Sequence, residues 1–177
     1  MCAIEIEPIL STPRLRLRRP RRADAARIAE YCGDYDVARM TSRIPHPYGI
    51  EDANAFLDRQ DLKDADREAT FAIEHPDEGF MGVVSLFENP EGRSEIGYWL
   101  GRPHWGRGYA TEAADRTLVW AHETWGRRFV VAGHASDNPA SGQVLCKVGF
   151  LYTGEVKLQP SAARKGETPV RMMVWLA

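Results

Sequence analysis

The sequence is poor in cysteine, and its cysteines form no recognisable pattern. Cys2, Cys32 and Cys146 are odd in number and widely separated, with no CxxC motif and no Cys/His cluster. This distribution supports neither a disulfide framework nor a zinc site. We therefore expect a reducing compartment and no bound metal.

Long apolar runs and a large excess of charge are also missing. No segment approaches the ~20 apolar residues that a membrane-spanning helix needs, and the start, MCAIEIEPILS, lacks the basic region and long apolar core of a signal peptide. These absences predict a cytoplasmic protein with no membrane partner. A formal net charge of −2 and the lack of a recognition motif disfavour nucleic acid as a partner.

The length and hydrophobic content of the chain suffice for one folded domain. It has 177 residues, of which 44% are hydrophobic, and it shows neither an internal repeat nor an interdomain linker. Length and composition of this kind favour a single domain over residues 1–177 with a sizeable core.

Arginine and leucine alternate near the start of the chain. The sequence RLRLRR over residues 14–19 has the period of two that predicts a strand, with Leu15 and Leu17 buried and the arginines on a solvated face. The patterns that follow predict helices over residues 21–31, 34–40 and 51–64 and a loop over residues 41–49.

The middle of the chain changes to strand periodicity. Residues 69–74, 80–87 and 94–100 are β-rich runs separated by turn sequences, which predicts three consecutive antiparallel strands. A helix follows, whose apolar residues recur at helical spacing: Ala110, Ala114, Leu118, Ala121 and Trp125.

The last third completes the predicted sheet. We expect a strand over residues 128–134, parallel or next to the strand at 94–100, then a helix through Val148. Two closing strands over residues 150–157 and 170–176 are joined by a polar loop, QPSAARKGET. The predicted fold is α/β (α+β), with a mixed, mostly antiparallel sheet of about six or seven strands flanked by helices.

A glycine-rich turn between a strand and a helix stands out in the stretch SEIGYWLGRPHWGRGYATE, from Ser94 to Glu112. Such a turn lets the backbone approach a ligand and directs unpaired amides at one point in front of the helix. We expect the amides from Gly106 to Ala110 to bind a pyrophosphate. Arg102 and Arg107 would add charge, and Thr111 a hydroxyl, unless the two arginines are merely solvated.

Two common phosphate motifs do not fit this turn. A P-loop requires a lysine after its glycines, whereas Tyr109 follows Gly108. The dinucleotide fingerprint requires a third glycine, and Thr111 stands in that place.

Four segments carry a family resemblance, and they occur in the family's order. TPRLRLRRPRRAD, EIGYWL, WGRGYATEA and DNPASGQVLCKVGF resemble the first strand and helix entry, the fourth strand, the cofactor loop and the late Asn-containing helix of the GNAT superfamily of acyl-CoA-dependent N-acetyltransferases. The chain is most similar to the RimJ/RimL-like branch. Trp105 stands where the superfamily usually has Arg or Gln, and that branch commonly has Trp there.

The resemblance implies acetyl-CoA as co-substrate, with its pantetheine arm along the strand that precedes the turn. The backbone N–H near Leu100 would stabilise the oxyanion that forms as an amine attacks the thioester. The residues expected to hold acetyl-CoA are Trp99, Leu100, Gly101, Arg102, Trp105, Gly106, Arg107, Gly108, Tyr109, Ala110, Thr111, Asn138 and Ser141.

Glu95 is the candidate for removing a proton from the attacking amine. At pH 7 the free-base fraction is roughly 1 in 2,500 for a lysine-like amine and about 1 in 7 for an α-amine, so the need for a base depends on the acceptor. Strand alternation places Glu95, Gly97 and Trp99 on one face. The alternative is an exposed carboxylate at the start of a strand.

Ser141 is the candidate for assisting the departure of the thiol. Many relatives have a Tyr four residues before the late glycine, but Leu145 occupies that position in this chain. Ser141 lies one helical turn earlier and would substitute as the acid or as a ligand to the thiol. Asn138 would bind the pantetheine amides. Helix capping is the alternative role for both residues.

These expectations combine into one leading function and one alternative. The leading function is acetyl transfer from acetyl-CoA to a primary amine, either a protein N-terminal α-amine or a small-molecule amine. The alternative is a catalytically silent acyl-CoA-binding or regulatory module. A homodimer is possible on the weak indication of aromatic loops.

Overall fold

The computed structural model describes residues 8–177 as one eight-stranded sheet with helices on both faces. The strands are β1 (Leu10–Ser11), β2 (Arg16–Arg18), β3 (Glu68–His75), β4 (Gly79–Glu88), β5 (Ser94–Leu100), β6 (Phe129–Ala135), β7 (Leu151–Ser161) and β8 (Gly166–Leu176). The helices are α1 (Ala25–Cys32), α2 (Tyr35–Ala38), α3 (Ile50–Leu62), α4 (Tyr109–Glu123) and α5 (Pro139–Lys147), with short 3₁₀ turns at Arg22–Asp24 and Arg102–His104.

The predicted mixed sheet is confirmed, with one strand more than expected. Its order is β1-β2-β3-β4-β5-β6-β8-β7, and β5–β6 is its parallel pair while the other neighbours are antiparallel. The extra strand is β1, whose two residues pair Leu10 with Leu17 and Ser11 with Arg16. Two residues are too few to show a period in the sequence.

Each face of the sheet carries its own apolar layer. On one face, α4 packs its predicted stripe, including buried Ala114 and Leu118, against Ile96 and other strand residues. On the other face, α1 and α3 pack through residues such as Ile28 and Leu57. Both faces of the central strands are therefore covered, which explains their nearly continuous apolar sequences.

Burial of Arg18 corrects part of the expectation of a solvated arginine row. Leu15 and Leu17 are buried as predicted, but Arg18 is also buried, at 6% exposure. Its guanidinium pairs with Asp24 at 2.8 Å and with Glu74 at 2.9 Å. Arg14 and Arg16 are exposed as predicted, whereas Arg18 is covered where it pairs with Asp24 of the 3₁₀ turn.

The polar loop predicted between the closing strands is wrong over most of its length. β7 continues through Ser161 and β8 begins at Gly166, so QPSAARKGET mostly forms a hairpin. Its register pairs Gln159 with Thr168 and Ser161 with Gly166. These hairpin residues are mostly polar and show no apolar alternation, even though Ser161 and Thr168 are buried, so the sequence pattern is that of a loop.

A gap opens in the middle of the sheet. β5 and β6 pair only at Ser94 with Val130 and Glu95 with Val131, so residues 96–100 have no strand partner on that side within residues 8–177. Gly101 N donates to Met81 O of β4 at 2.9 Å. Because successive strand residues direct their N–H groups to opposite sides, the N–H of Leu100 points into the gap.

Candidate active site

The glycine-rich turn at the end of β5 (residues 101–111, the cradle) has the backbone geometry expected of an anion-binding site. Gly106 and Gly108 have φ of +72° and +80°, and α4 starts at Tyr109. The first helical hydrogen bond runs from Glu112 N to Gly108 O, and no side chain caps this end of α4. The amides of Tyr109, Ala110 and Thr111 precede that bond and are directed at the space in front of the helix.

Space remains on this side of the turn for a bound group. A Cβ built on Gly106 meets no atom within 4 Å, so the loop backbone is open to a ligand there. The uncapped amides and the open backbone together fit the pyrophosphate of acetyl-CoA.

The arginines of the cradle are held by carboxylates. Arg102 donates to Asp34 at 2.6 and 2.7 Å and lies 2.8 Å from Asp36. Arg107 lies 2.7 Å from Glu78. In both pairs the carboxylate raises the pKa of the arginine. These side chains therefore fix the turn against the α1/α2 region and the β3–β4 turn.

The buried side chain of His104 anchors the same turn through two hydrogen-bond contacts. His104 Nδ1 lies 3.0 Å from Glu78 Oε2, and Nε2 lies 3.0 Å from the Tyr31 hydroxyl. Burial lowers the pKa of His104 despite the nearby carboxylate. With a neutral ring, Nδ1–H donates to Glu78 and Nε2 accepts from Tyr31.

Other aromatic and arginine side chains complete the support. Trp105 donates from Nε1 to Leu100 O at 2.8 Å and so ties the turn to the end of β5. Tyr109 is buried between Arg14 and Arg107, whose guanidinium carbons lie 4.6 and 4.9 Å from its ring centre. Arg14 also donates to Arg107 O at 3.0 Å.

One cavity of about 360 Å³ passes through the gap between β5 and β6. It is lined by Glu95, Gly97 and Trp99 of β5 on the side of α1 and α3, and by Ser141 and Leu145 of α5 on the other. The structure thus brings the two predicted catalytic side chains to the same space, although they are far apart in sequence.

Glu95 lies in a row of residues that crosses three strands. The register places Glu68 opposite Phe87 and Phe87 opposite Glu95, so the three side chains share one face. Asn89 Nδ2 donates to Glu95 Oε2 at 3.1 Å. The guanidinium of Arg43 lies over the Phe87 ring, 4.2 Å from its centre. The carboxylate of Glu95 is thus oriented by an amide within a partly enclosed cavity.

Ser141 has a partner that sequence reasoning did not identify. The hydroxyl of Tyr98 lies 2.9 Å from Ser141 Oγ and donates to Ser141 O at 3.0 Å. Burial raises the pKa of Tyr98, with the hydrogen bond to Ser141 opposing the shift. Tyr98 is therefore a neutral phenol that spans the gap from β5 to the start of α5.

Asn138 has the capping role that was the alternative to ligand binding. It is the N-cap of α5, and its Oδ1 accepts from Ser141 N at 3.2 Å. The cap fixes the first turn of α5 and thereby the position of Ser141 at the cavity. Ligation of pantetheine by Asn138 stays a prediction.

The side of the cavity that faces the loop after α2 has a cover made from two distant segments. Arg164, between β7 and β8, donates to Asp137 at 2.8 and 2.9 Å and to Arg39 O at 3.0 Å. Ala162 N donates to Ser42 O, also at 3.0 Å. Contacts between the loop after α2 and the hairpin tip therefore restrict access to the cavity.

The described residues contain neither a metal cluster nor a membrane helix. Within residues 8–177, no group of three His, Cys, Asp or Glu side chains is placed to hold a metal ion. No helix in the same range has the length and apolar character needed to cross a bilayer.

Comparison with known proteins decides the family. Residues 14–151 match the family described as Acetyltransferase (GNAT) domain. This chain belongs to the GNAT acetyltransferase family. It is accordingly an N-acetyltransferase with acetyl-CoA as co-substrate, as the resemblance implied.

Individual relatives and structures agree with this assignment. The chain is 27% identical over 149 residues to the uncharacterized N-acetyltransferase p20 of Bacillus licheniformis, covering 82% of this chain and 83% of p20. It is 37% identical over 90 residues to the ribosomal-protein-serine acetyltransferase of Escherichia coli strain K12, covering 49% of each chain.

Solved structures support the fold over nearly the whole chain. A GNAT acetyltransferase from Bacillus anthracis has a TM-score of 0.82 at 21% identity and covers 96% of this chain and 98% of its own. RimL, the ribosomal L7/L12 α-N-protein acetyltransferase solved with coenzyme A, has a TM-score of 0.80 at 18% identity, covering 96% and 98%. Relatives and structural neighbours of the chain thus include ribosomal-protein acetyltransferases of the RimL branch, which its sequence resembles.

Proposed function

We propose that this GNAT protein transfers the acetyl group of acetyl-CoA to a primary amine that occupies the α1/α3 side of the gap. The carrying observation is the single cavity lined by both Glu95 and Ser141. A base for the incoming amine and a hydroxyl for the departing thiol belong on opposite sides of the reacting carbon. The gap between β5 and β6 supplies both positions.

The chain's own backbone would hold most of the donor. Amides from Gly106 to Thr111 would hold the pyrophosphate, and the unpaired edge of β5 at residues 96–100 would hold the pantetheine arm. Arg102 and Arg107 act by shaping the turn, because Asp34 and Glu78 already hold their guanidinium groups. Acetyl-CoA supplies the thioester carbonyl on which the amine acts.

The residues around the gap have separate tasks in this reaction. Glu95 takes the proton that the attacking ammonium must lose, directly or through water. Leu100 N–H, which points into the gap, donates to the carbonyl oxygen as its negative charge grows. Attack forms the carbon–nitrogen bond first, and Ser141 donates a hydrogen bond to the sulfur as the carbon–sulfur bond of this adduct then breaks. The adduct nitrogen loses its second proton, which balances the proton that the leaving thiolate takes up to give coenzyme A.

Tyr98 allows Ser141 to donate its hydroxyl proton to the sulfur. When Tyr98 donates to Ser141 O, the Ser141 hydroxyl proton points at Tyr98. Rotation of the Tyr98 proton onto Ser141 Oγ, 2.9 Å away, frees the Ser141 proton for the sulfur without moving a heavy atom. The resulting chain of two hydroxyls strengthens each hydrogen bond.

Two acceptor types fit this geometry: the α-amine of an extended peptide N-terminus and a small amine. The cover formed by Arg39, Ser42, Ala162 and Arg164 limits the space for a bulky acceptor, which favours these two types. A folded surface that presents a lysine side chain fits less well.

The test is release of coenzyme A in the presence of a panel of short peptides and small amines. We expect amine-dependent thiol release with at least one acceptor class, and its reduction in both Glu95→Gln and Ser141→Ala. Intact acetyl-CoA binding without thiol release across the panel would instead favour the silent binding module. Near-normal rates in both variants at saturating acetyl-CoA would contradict the assigned roles.

A further inference from the structure

An arginine in the cavity between β5 and β6 has no anionic partner. Arg43, in the loop after α2, lines this cavity, and its guanidinium carbon lies 4.2 Å from the centre of the Phe87 ring. In the described part of the chain it has neither an ion pair nor a hydrogen-bond acceptor. Arg39, which also lines the cavity, instead pairs with Asp36 at 2.9 Å and with Asp137 at 3.5 Å. The N–H donors of Arg43 are therefore open to a bound group.

The sheet register places Arg43 beside the proposed base. Phe87 of β4 lies directly opposite Glu95 of β5, and the Cβ atoms of such a cross-strand pair are about 5 Å apart. Because the guanidinium lies over the Phe87 ring, it is one cross-strand neighbour away from Glu95. Glu95 itself does not pair with Arg43 and accepts from Asn89 Nδ2 at 3.1 Å. A carboxylate and a free guanidinium thus lie side by side at the reaction edge.

The lining of the cavity has charges of both signs. Arg59 of α3 lines it as well, with neither an ion pair nor a hydrogen bond among the described residues. Its carboxylates are Glu68 and Glu95, and Glu68 accepts from Thr70 Oγ1 at 3.1 Å. Both carboxylates therefore have neutral donors, while two guanidinium groups have no anion. A substrate with an ammonium for Glu95 and an anion for Arg43 would complement both signs.

We propose that the acceptor carries a carboxylate or phosphate near its reacting amine and that Arg43 binds this anion. The planar guanidinium donates parallel hydrogen bonds to either oxyanion. The acceptor is then an anionic small amine or a peptide with an acidic residue next to its N-terminus. This inference rests on the proposed amine acetylation and adds a requirement for negative charge on the acceptor.

The test compares acceptors that differ in the charge of one group. δ-Aminovalerate, δ-aminovaleramide and pentamethylenediamine have the same length and end in an anion, a neutral amide and a cation. The tripeptide amides Ala-Asp-Ala and Ala-Asn-Ala make the comparison for an α-amine. In at least one set we expect kcat/KM for the anionic acceptor to exceed that for the neutral one by about 10-fold, the effect of a charge-assisted hydrogen bond. The gain should appear mainly as a lower KM for the amine.

Variants of Arg43 separate anion binding from a structural role. Arg43→Gln should remove the preference and leave kcat/KM for the neutral acceptor nearly unchanged. Arg43→Lys, which keeps the charge but not the planar fork, should retain part of the preference. Arg171→Gln is the matched control, because Arg171 is exposed and its guanidinium carbon lies 4.4 Å from the Tyr152 ring centre, outside this cavity. It should keep the full preference.

Each outcome bears on a defined part of the inference. Equal rates within both sets, faster reaction of the diamine than of δ-aminovalerate, or a preference that survives Arg43→Gln would overturn it. The set that shows the preference identifies a small molecule or a peptide as the source of the anion.

Failure of the proposed function has a different result, in which no amine reacts although acetyl-CoA binds. Calorimetric titration of δ-aminovalerate and δ-aminovaleramide into the coenzyme A complex then decides the role of Arg43. Tighter binding of the acid that is lost in Arg43→Gln supports the inference. Equal binding, or binding of neither, overturns it.

Discussion

The hydroxyl of Tyr98 lies 2.9 Å from Oγ of Ser141, joining a strand to a helix across the central gap of the sheet. Because Tyr98 also donates to Ser141 O at 3.0 Å, two alternative arrangements of two hydroxyl protons share the same heavy-atom positions. One arrangement satisfies Ser141 internally, and the other makes its proton available to the cavity. The pair therefore connects the first turn of α5 with the proposed departure of the thiol.

Tyr98→Phe should lower kcat by roughly 3- to 10-fold, the effect of one hydrogen bond, with little change in KM for acetyl-CoA. The double variant with Ser141→Ala should be no slower than Ser141→Ala alone, because both changes remove the same chain of hydroxyls. Steady-state kinetics measures both effects. Tyr152→Phe is the control, since its hydroxyl pairs with His134 outside the main cavity. Fully additive losses would contradict the shared role.

Gly106 and Gly92 allow backbone strain to be separated from ligand binding. Their φ values are +72° and +73°, and a Cβ meets no atom within 4 Å at either position. Alanine at each should cost about 1 kcal/mol of unfolding free energy. Only Gly106→Ala should weaken coenzyme A binding, by about 10-fold or more, because Gly106 belongs to the turn whose backbone is proposed to approach the pyrophosphate and Gly92 does not. Denaturation and calorimetry measure the two effects, and unchanged affinity in Gly106→Ala would place the phosphates elsewhere.

The effect of Glu95→Gln should depend on the acceptor's own pKa. We expect a loss in kcat/KM of about 100-fold for lysine-like amines at pH 7 and less than 10-fold for α-amines, because the latter are already partly free base. Raising the pH should bring the loss for lysine-like amines closer to the loss for α-amines. Glu91→Gln, an exposed change in the β4–β5 turn, serves as control. Equal losses for both acceptors at every pH would contradict a role in deprotonation.

Acid stability should depend on Glu74, whose hydrogen bond from Arg18 holds its pKa below the usual range. A carboxyl with a lower pKa in the folded state stabilises the protein above its unfolded pKa of ~4.3, and that contribution is lost as pH falls through the folded pKa. Glu74→Gln should therefore be less stable than the wild type above about pH 5, with the difference shrinking in more acidic solution. Urea unfolding as a function of pH measures this difference in unfolding free energy. Glu30→Gln, which removes a carboxylate from an exposed ion pair, is the control. A constant difference across this range would contradict the assignment.

Sequence reasoning succeeded where the chain has local periodicity. The antiparallel strands up to Leu100, the apolar stripe of α4 and the glycines of the cradle all have short-range signals. The family resemblance added acetyl-CoA and the order of the elements. These features depend on residues close together in the chain.

The interactions that were missed are long-range. Tyr98 and Ser141 are 43 residues apart, and Arg102 meets Asp34 from 68 residues away. Strand alternation predicts that Tyr98 lies on the sheet face opposite to that of Glu95. No local pattern indicates that α5 contacts Tyr98 there.

The central claim is tested most directly by following coenzyme A and the acetylated amine in the same reaction with the wild-type protein. The account predicts that each released thiol is matched by one N-acetylated acceptor, and that omission of the amine nearly abolishes release. Bound acetyl-CoA that stays intact with every amine, or thiol release without an acetylated product, would contradict it.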